Sequence, residues 1–262
     1  MSHAAHAEEE IHLPDPSIWP LILAIGAGLV PISLLMLAYQ HGAAGAVGGA
    51  GALITLVAAF GWATTVIREK ATLDEDWGNR CLSSAWLLFL ISEAAIFGAF
   101  FGHLGYMMYK NDVWPPPGTP HIHLSIPAFG SGILILSSIT CHLAHTALLV
   151  NRRTLSKNWL VVTLLLGLAF VALQGYEWGY LQTYYDFYPS SGIVGTLFYL
   201  ITGFHGFHVI TGLLLLFLVY VRLEMGSFTP KRHFSFNAAS WYWHFVDVIW
   251  LLVFFVLYVS IQ

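Results

Sequence analysis

Charge in this chain is confined to a few places, and that confinement limits the fold more than any other feature. Of ten Lys and Arg residues, nine fall in three short loops: Arg68, Lys70 and Arg80; Arg152, Arg153 and Lys157; Arg222, Lys231 and Arg232. The tenth, Lys110, stands alone, and long apolar stretches separate the groups. A water-soluble domain needs charge scattered over its surface, at about 25% of its residues. Here the charged fraction is 9% against 57% hydrophobic. The pattern specifies a polytopic membrane protein, so function has to be argued from what a bilayer-embedded bundle can do. A net charge of −4 offers no basic patch, which excludes nucleic acid as a partner. Cys81 and Cys141 read as two reduced packing thiols rather than a disulfide framework. The opening MSHAAHAEEEIHLPDP has neither a basic signal-peptide region nor transit-peptide character. The first apolar span is therefore expected to be retained.

About 20 apolar residues cross the hydrocarbon core. Seven segments qualify: Trp19–Ala38, Ala44–Val66, Leu82–Tyr109, Ile126–Val150, Trp159–Gly179, Ile193–Arg222 and Ala239–Ser260. Only helices or closed barrels satisfy the backbone in lipid, and strand alternation is absent, so the fold class is all-α. The loops holding nine Lys and Arg share one side, and the opposite loops hold one. By the positive-inside rule the N-terminus is cytoplasmic and the C-terminus outside, as an odd number of spans requires.

Aromatic residues at span ends are expected as interfacial anchors: Trp19, Trp62, Trp77, Trp114, Trp159, Tyr184, Tyr185, Trp241, Tyr242 and Trp243. Gly42, Gly45, Gly48, Gly49 and Gly51 suit close helix approach. Trp114–Pro120 (WPPPGTP) is a stiff outer loop. No internal repeat is evident, which weighs against a transporter.

Ionisable groups at membrane depth cost about 2.5–3.5 kcal/mol on insertion scales, so they pair, face inward or stay neutral. Glu93 lies near the middle of the third span, flanked by Phe89 and Phe97, with Phe100 and Phe101 beyond. It is either a functional proton site or a carboxyl bonded to a neighbouring helix, and by depth His208 or His205 is its expected partner. Glu177, within GYEWGY, reads as an interfacial hydrogen-bonding residue. Three pairs at i,i+3 spacing share a helix face: His142 with His145, His205 with His208, and His244 with Asp247. Interhelical hydrogen bonding and axial ligation of haem are both open to these histidines. Arg68 with Glu69, Arg222, and Lys231–Arg232–His233 form headgroup-level clusters, suited to anionic lipid or to plain topological charge.

Several stretches are specific. His233–Leu251 (HFSFNAASWYWHFVDVIWL) and Thr202–Gly212 (TGFHGFHVITG) resemble subunit III of haem–copper cytochrome c oxidases. So do Leu90–Phe101 (LISEAAIFGAFF), Val66–Thr72 (VIREKAT) and Leu164–Trp178 (LLLGLAFVALQGYEW). The similarity runs in order along nearly the whole chain. Related quinol oxidases often carry a five-helix version, so helices one and two favour the cytochrome c type. The resemblance implies an accessory subunit with no catalytic residue, haem, copper or other metal of its own. It would pack on catalytic subunit I, with subunit II also in the complex and cytochrome c as donor. It also implies a V-shaped split between a two-helix bundle (residues 19–66) and a five-helix bundle (residues 82–260), the cleft holding phospholipid. Trp62, Arg68, Glu69, Arg222, Lys231, Arg232 and His233 would hold those lipids. Glu93 would match the family's carbodiimide-reactive carboxylate, within a polar network of His142, His145, His205, His208, His244 and Asp247. Support of proton uptake, protection against turnover inactivation and passage of oxygen through lipid are implied as well. Asn237 departs from the family, where many members have an acidic residue. The N-terminal tail suggests a bacterial chain in the inner membrane. The alternatives are a quinol oxidase subunit, a stand-alone proton-coupled transporter and a di-haem cytochrome.

Overall fold

In hydrocarbon every backbone amide must find its partner within the protein, and a helix achieves this locally. The computed structural model follows that rule. It describes residues 17–38, 41–69, 75–230 and 233–261, and among these the regular structure is helical, with no strand. Seven α-helices stand in order: α1 (Trp19–Ala38), α2 (Ala44–Glu69), α3 (Glu75–Lys110), α4 (Ser125–Leu149), α5 (Arg153–Tyr185), α6 (Gly192–Glu224) and α7 (Phe234–Val253). A π-helical turn, Phe254–Tyr258, and a 3-10 turn, Val259–Ile261, continue α7. Six helices, α2 to α7 with its extension, are long and apolar enough to cross a membrane, and α1 contributes a shorter apolar stretch, Trp19–Val30.

Two helices overrun their expected limits the most. At 33 residues, α5 is about 50 Å long at 1.5 Å per residue, well beyond the hydrocarbon thickness. The reason lies in its first turns. Arg153 Nη2 donates to Phe228 O at 2.7 Å, and Lys157 Nζ donates to Glu224 Oε2 at 2.6 Å. Two cations expected in a loop thus stand on helix and tie α5 to the end of α6. Likewise α3 begins at Glu75, seven residues before its apolar run.

The chain forms two compact units, Met1–Arg80 and Cys81–Gln262. In the first, α1 and α2 pack as a pair at close range. A Cβ at Gly51 would lie 2.8 Å from Leu29 Cβ, and one at Gly26 would lie 2.7 Å from Thr55 N. Gly42, Gly45 and Gly49 face open space, so within the glycine-rich stretch Gly48 and Gly51 carry the approach.

In the second unit, α4, α5, α6 and α7 form a ring in which each packs on the next and α7 closes onto α4. Trp243 is its wedge. The ring is fully buried and fills notches left by Gly167 on α5 and Gly212 on α6, where a Cβ would come within 2.7 and 2.8 Å of the indole. Its Nε1 donates to Ser137 Oγ on α4 at 3.0 Å, and Trp250 Nε1 donates to Ser131 Oγ at 2.9 Å. Trp243 and Tyr242 (3% exposed) are core residues, not the interfacial anchors expected of aromatics near a span end. An interior of small and hydroxyl residues lets an indole sit there with its N–H satisfied. The third helix joins through side chains: Trp86 Nε1 donates to Ala238 O at 2.9 Å.

Candidate functional site

Glu93 on α3 and His208 on α6 meet, with Glu93 Oε2 3.1 Å from His208 Nε2. His208 Nδ1 lies 2.8 Å from Phe204 O. A carbonyl only accepts, so Nδ1 carries a hydrogen. Nε2 then either accepts from a protonated Glu93 or, as imidazolium, donates to its carboxylate. In both forms one proton occupies the bridge. The pair is walled by aromatic rings. Phe204 and Phe97 lie 4.7 and 5.2 Å from the His208 ring, and Tyr242 stacks on it at 6.2 Å. Phe97 is 1% exposed, so little competing solvent reaches this side of the bridge.

His205, a turn away, is built differently. It is buried between Phe170, at 6.0 Å, and Trp250, at 5.1 Å, and neither ring nitrogen has a hydrogen-bond partner. The i,i+3 pair thus splits, His208 reaching α3 and His205 facing the ring interior.

His142 and His145 split as well, whereas His244 and Asp247 stay together beside Ser138. His244 on α7 sits with Nδ1 2.5 Å from Ser138 Oγ on α4 and Nε2 3.4 Å from Ser240 Oγ. Ser240 also contacts the Cys141 thiol at 3.5 Å. Asp247 is buried beside them at 6% exposure. Ser138 lies near its carboxyl; its hydroxyl either donates to His244 Nδ1 or accepts from it, and only in the second case is its proton free for Asp247. No contact at Asp247 meets hydrogen-bond geometry for either oxygen. His142 is exposed. His145 turns inward, 5.4 Å from the His233 ring and 5.3 Å from Phe236.

Glu177 is a hydrogen-bonding residue, as expected, and its partners lie inside the bundle. It is 2% exposed, and its Oε2 accepts from Tyr258 O–H at 2.6 Å and from Gln174 Nε2 at 2.8 Å. Tyr258 belongs to the π-helical turn after α7, 81 residues away, so no local motif around Glu177 could have disclosed the contact.

At the headgroup-level cluster, Arg222 is exposed. Its Nη1 donates to Ser235 Oγ at 2.5 Å, and its guanidinium lies 4.8 Å over the Phe228 ring. Trp62 is 39% exposed on α2. Lys231 and Arg232 lie outside the described residues, as do the side chains of Arg68 and Glu69. Among the described residues, no group of three or more His, Cys, Asp and Glu is placed to hold a metal ion.

Comparison with known proteins bears on what this bundle is. The family model described as Cytochrome c oxidase subunit III matches residues 9–261. The chain belongs to the cytochrome c oxidase subunit III family. It is 36% identical to cytochrome c oxidase subunit 3 of Rattus norvegicus, covering all of this chain and 98% of the relative. The Homo sapiens protein of that name is also 36% identical, with the same coverage. That of Marchantia polymorpha is 37% identical over 94% of this chain and 95% of the relative. Membership in the subunit III family makes the chain a multi-span membrane component of an oxidase complex.

Proposed function

We propose that the chain is the accessory, cofactor-free third subunit of a proton-pumping, oxygen-reducing oxidase that takes electrons from cytochrome c. It packs on catalytic subunit I, with subunit II in the same complex, and haem and copper reside in those partners. The carrying observation is the subunit III family match from residue 9 to residue 261.

The polar machinery supports a structural and protective role. Glu93 and His208 bridge α3 to α6 through a single shared proton, fastening the helix that the ring otherwise holds by side chains. Lipid retention by Trp62, Arg68, Glu69, Arg222, Lys231, Arg232 and His233 is supported by the exposed Arg222 guanidinium, held in place by Ser235 and Phe228. Bound phospholipid would shield the catalytic subunit from turnover inactivation. It would also sustain proton uptake and offer apolar oxygen a path. The gathering of nine of the ten cations into three groups on one side supports a cytoplasmic N-terminus and a periplasmic C-terminus, and the character of the N-terminal tail supports an inner-membrane chain of a bacterium.

The test is purification of this chain in mild detergent, followed by an absorption spectrum and an oxygen-uptake assay with reduced cytochrome c. Co-purifying haem–copper absorbance with cytochrome c-driven oxygen uptake, both lost from the stripped chain, is the expected result. A colourless solitary chain, or uptake driven by quinol but not cytochrome c, would overturn the assignment.

A further inference from the structure

Histidine is an uncommon residue to turn outward from a membrane bundle, because hydrocarbon tails neither donate nor accept hydrogen bonds. His142 does so. It stands seven residues before the end of α4, about 10 Å along the axis from that end, beyond which lies the basic Asn151–Arg153 corner. Within the chain it meets Thr146 Oγ1 at 3.5 Å, at the long limit for a hydrogen bond, and the Thr146 hydroxyl already donates to His142 O at 2.9 Å. The imidazole is thus poorly served by its own chain.

His142 is also not isolated. Along the same seam of α4 and α7 lie Ser138 and His244, both half-buried, with Asp247 buried behind them. This polar strip descends from His142 to Ser138, eleven residues from the end of α4 and so near mid-helix. His103 on α3 also faces outward, but it sits beside Tyr106 at 6.5 Å, near Lys110 at the end of its helix. It stands, like His142, seven residues before the end of its helix, but a turn deeper it has Ala99 and Phe100 rather than a polar side chain.

We propose that the outward seam of α4 and α7, centred on His142, Ser138 and His244, is where a transmembrane helix of another oxidase subunit packs. The partner helix presents a hydroxyl, amide or carboxyl side chain at the depth of His142 to Ser138. This rests on membership of an oxidase complex and adds to it the surface and chemistry of one contact. Lipid is the poorer occupant, because acyl chains would leave the imidazole unpaired.

The experiment places the photo-cross-linker p-benzoylphenylalanine at position 142 in the complete complex, purified in mild detergent and irradiated. Leu165 on α5, 60% exposed and apolar, is the control position. The expected result is an adduct between position 142 and a different subunit of the haem-bearing complex. Mass spectrometry should map it to an apolar helix, within one turn of a polar side chain, and in several-fold greater yield than from position 165. Adducts only to phospholipid at both positions, or to another copy of this chain, overturn the proposal. His142→Gln and His142→Leu give a second readout without the bulky probe. The Gln variant should stay in the complex through detergent washes, while the Leu variant is lost several-fold faster. Equal retention of the two overturns the hydrogen-bonding role. A chain that purifies with no haem absorbance defeats the oxidase reading itself. Intact haem with only lipid labelled defeats the docking surface alone.

Discussion

Adding one methyl group to α5 should have opposite effects at two of its glycines. At Gly167 a Cβ would lie 2.6 Å from Leu213 Cδ2 and 2.7 Å from the far edge of the Trp243 indole. Neither neighbour can retreat easily. Trp243 is fully buried and tethered by its bond to Ser137, and Leu213 is 8% exposed on the facing helix. At Gly175, two turns on, nothing lies within 4 Å of the added atom. Alanine is a better helix residue than glycine by about 0.8–1.0 kcal/mol, and both substitutions gain up to that amount. Overpacking a well-filled core costs about 1–3 kcal/mol, and only Gly167→Ala incurs it. Gly167→Ala should therefore be destabilising by up to about 2 kcal/mol, and Gly175→Ala neutral or stabilising by up to about 1 kcal/mol. The assay is unfolding of the full chain in mixed detergent micelles, titrated with denaturing detergent and followed by tryptophan fluorescence and helical circular dichroism. Equal shifts of the same sign would refute the reasoning, since propensity alone cannot tell the two sites apart. A stabilised Gly167→Ala would show that Trp243 is not the wedge described.

Tyr258→Phe removes one of two donors to a buried Glu177 oxygen and should cost about 1–3 kcal/mol in the same titration; an unchanged midpoint would mean the carboxyl does not depend on that bond. Glu93→Ala should leave the haem spectra of the complex unchanged while loosening α3, seen as faster proteolysis or earlier thermal loss. Glu93→Gln, which keeps a donor for His208 Nε2, should lose less. Complete loss of oxygen reduction in an intact Glu93→Ala complex would make Glu93 catalytic and the fastening role wrong. Arg68→Ala combined with Arg222→Ala should lower the phospholipid retained after gentle extraction and shorten the active lifetime of the complex. Unchanged lipid content would count against these residues as headgroup ligands.

Helical class and the positions of the spans could be read from the chain, because the length of an apolar run is a one-dimensional property and the bilayer thickness converts it directly into helices. Glu93 was legible for the same reason, since a carboxylate in the middle of such a run is costly wherever the helix packs. The motifs at Leu90–Phe101, Thr202–Gly212 and His233–Leu251 carried the family. Helix ends were read less well: Arg153 and Lys157 look like loop cations until Phe228 O and Glu224 are seen to hold them on α5. Facing was the main thing only the tertiary structure decided. In water, a helix marks its buried side by an apolar stripe, but in lipid the outer surface is as apolar as the core. Periodicity therefore cannot say which side faces inward. That is why Trp243 looked like an interfacial anchor and is the central wedge, and why nothing around Glu177 announced Tyr258 as its partner. It is also why His205 with His208 and His142 with His145 share a helix face in sequence and yet send their side chains to different neighbours, while His244 and Asp247 stay together at Ser138. Spans are set along the chain by hydropathy, whereas partners are set across it by which small residues let helices approach, and that is decided only when the bundle closes.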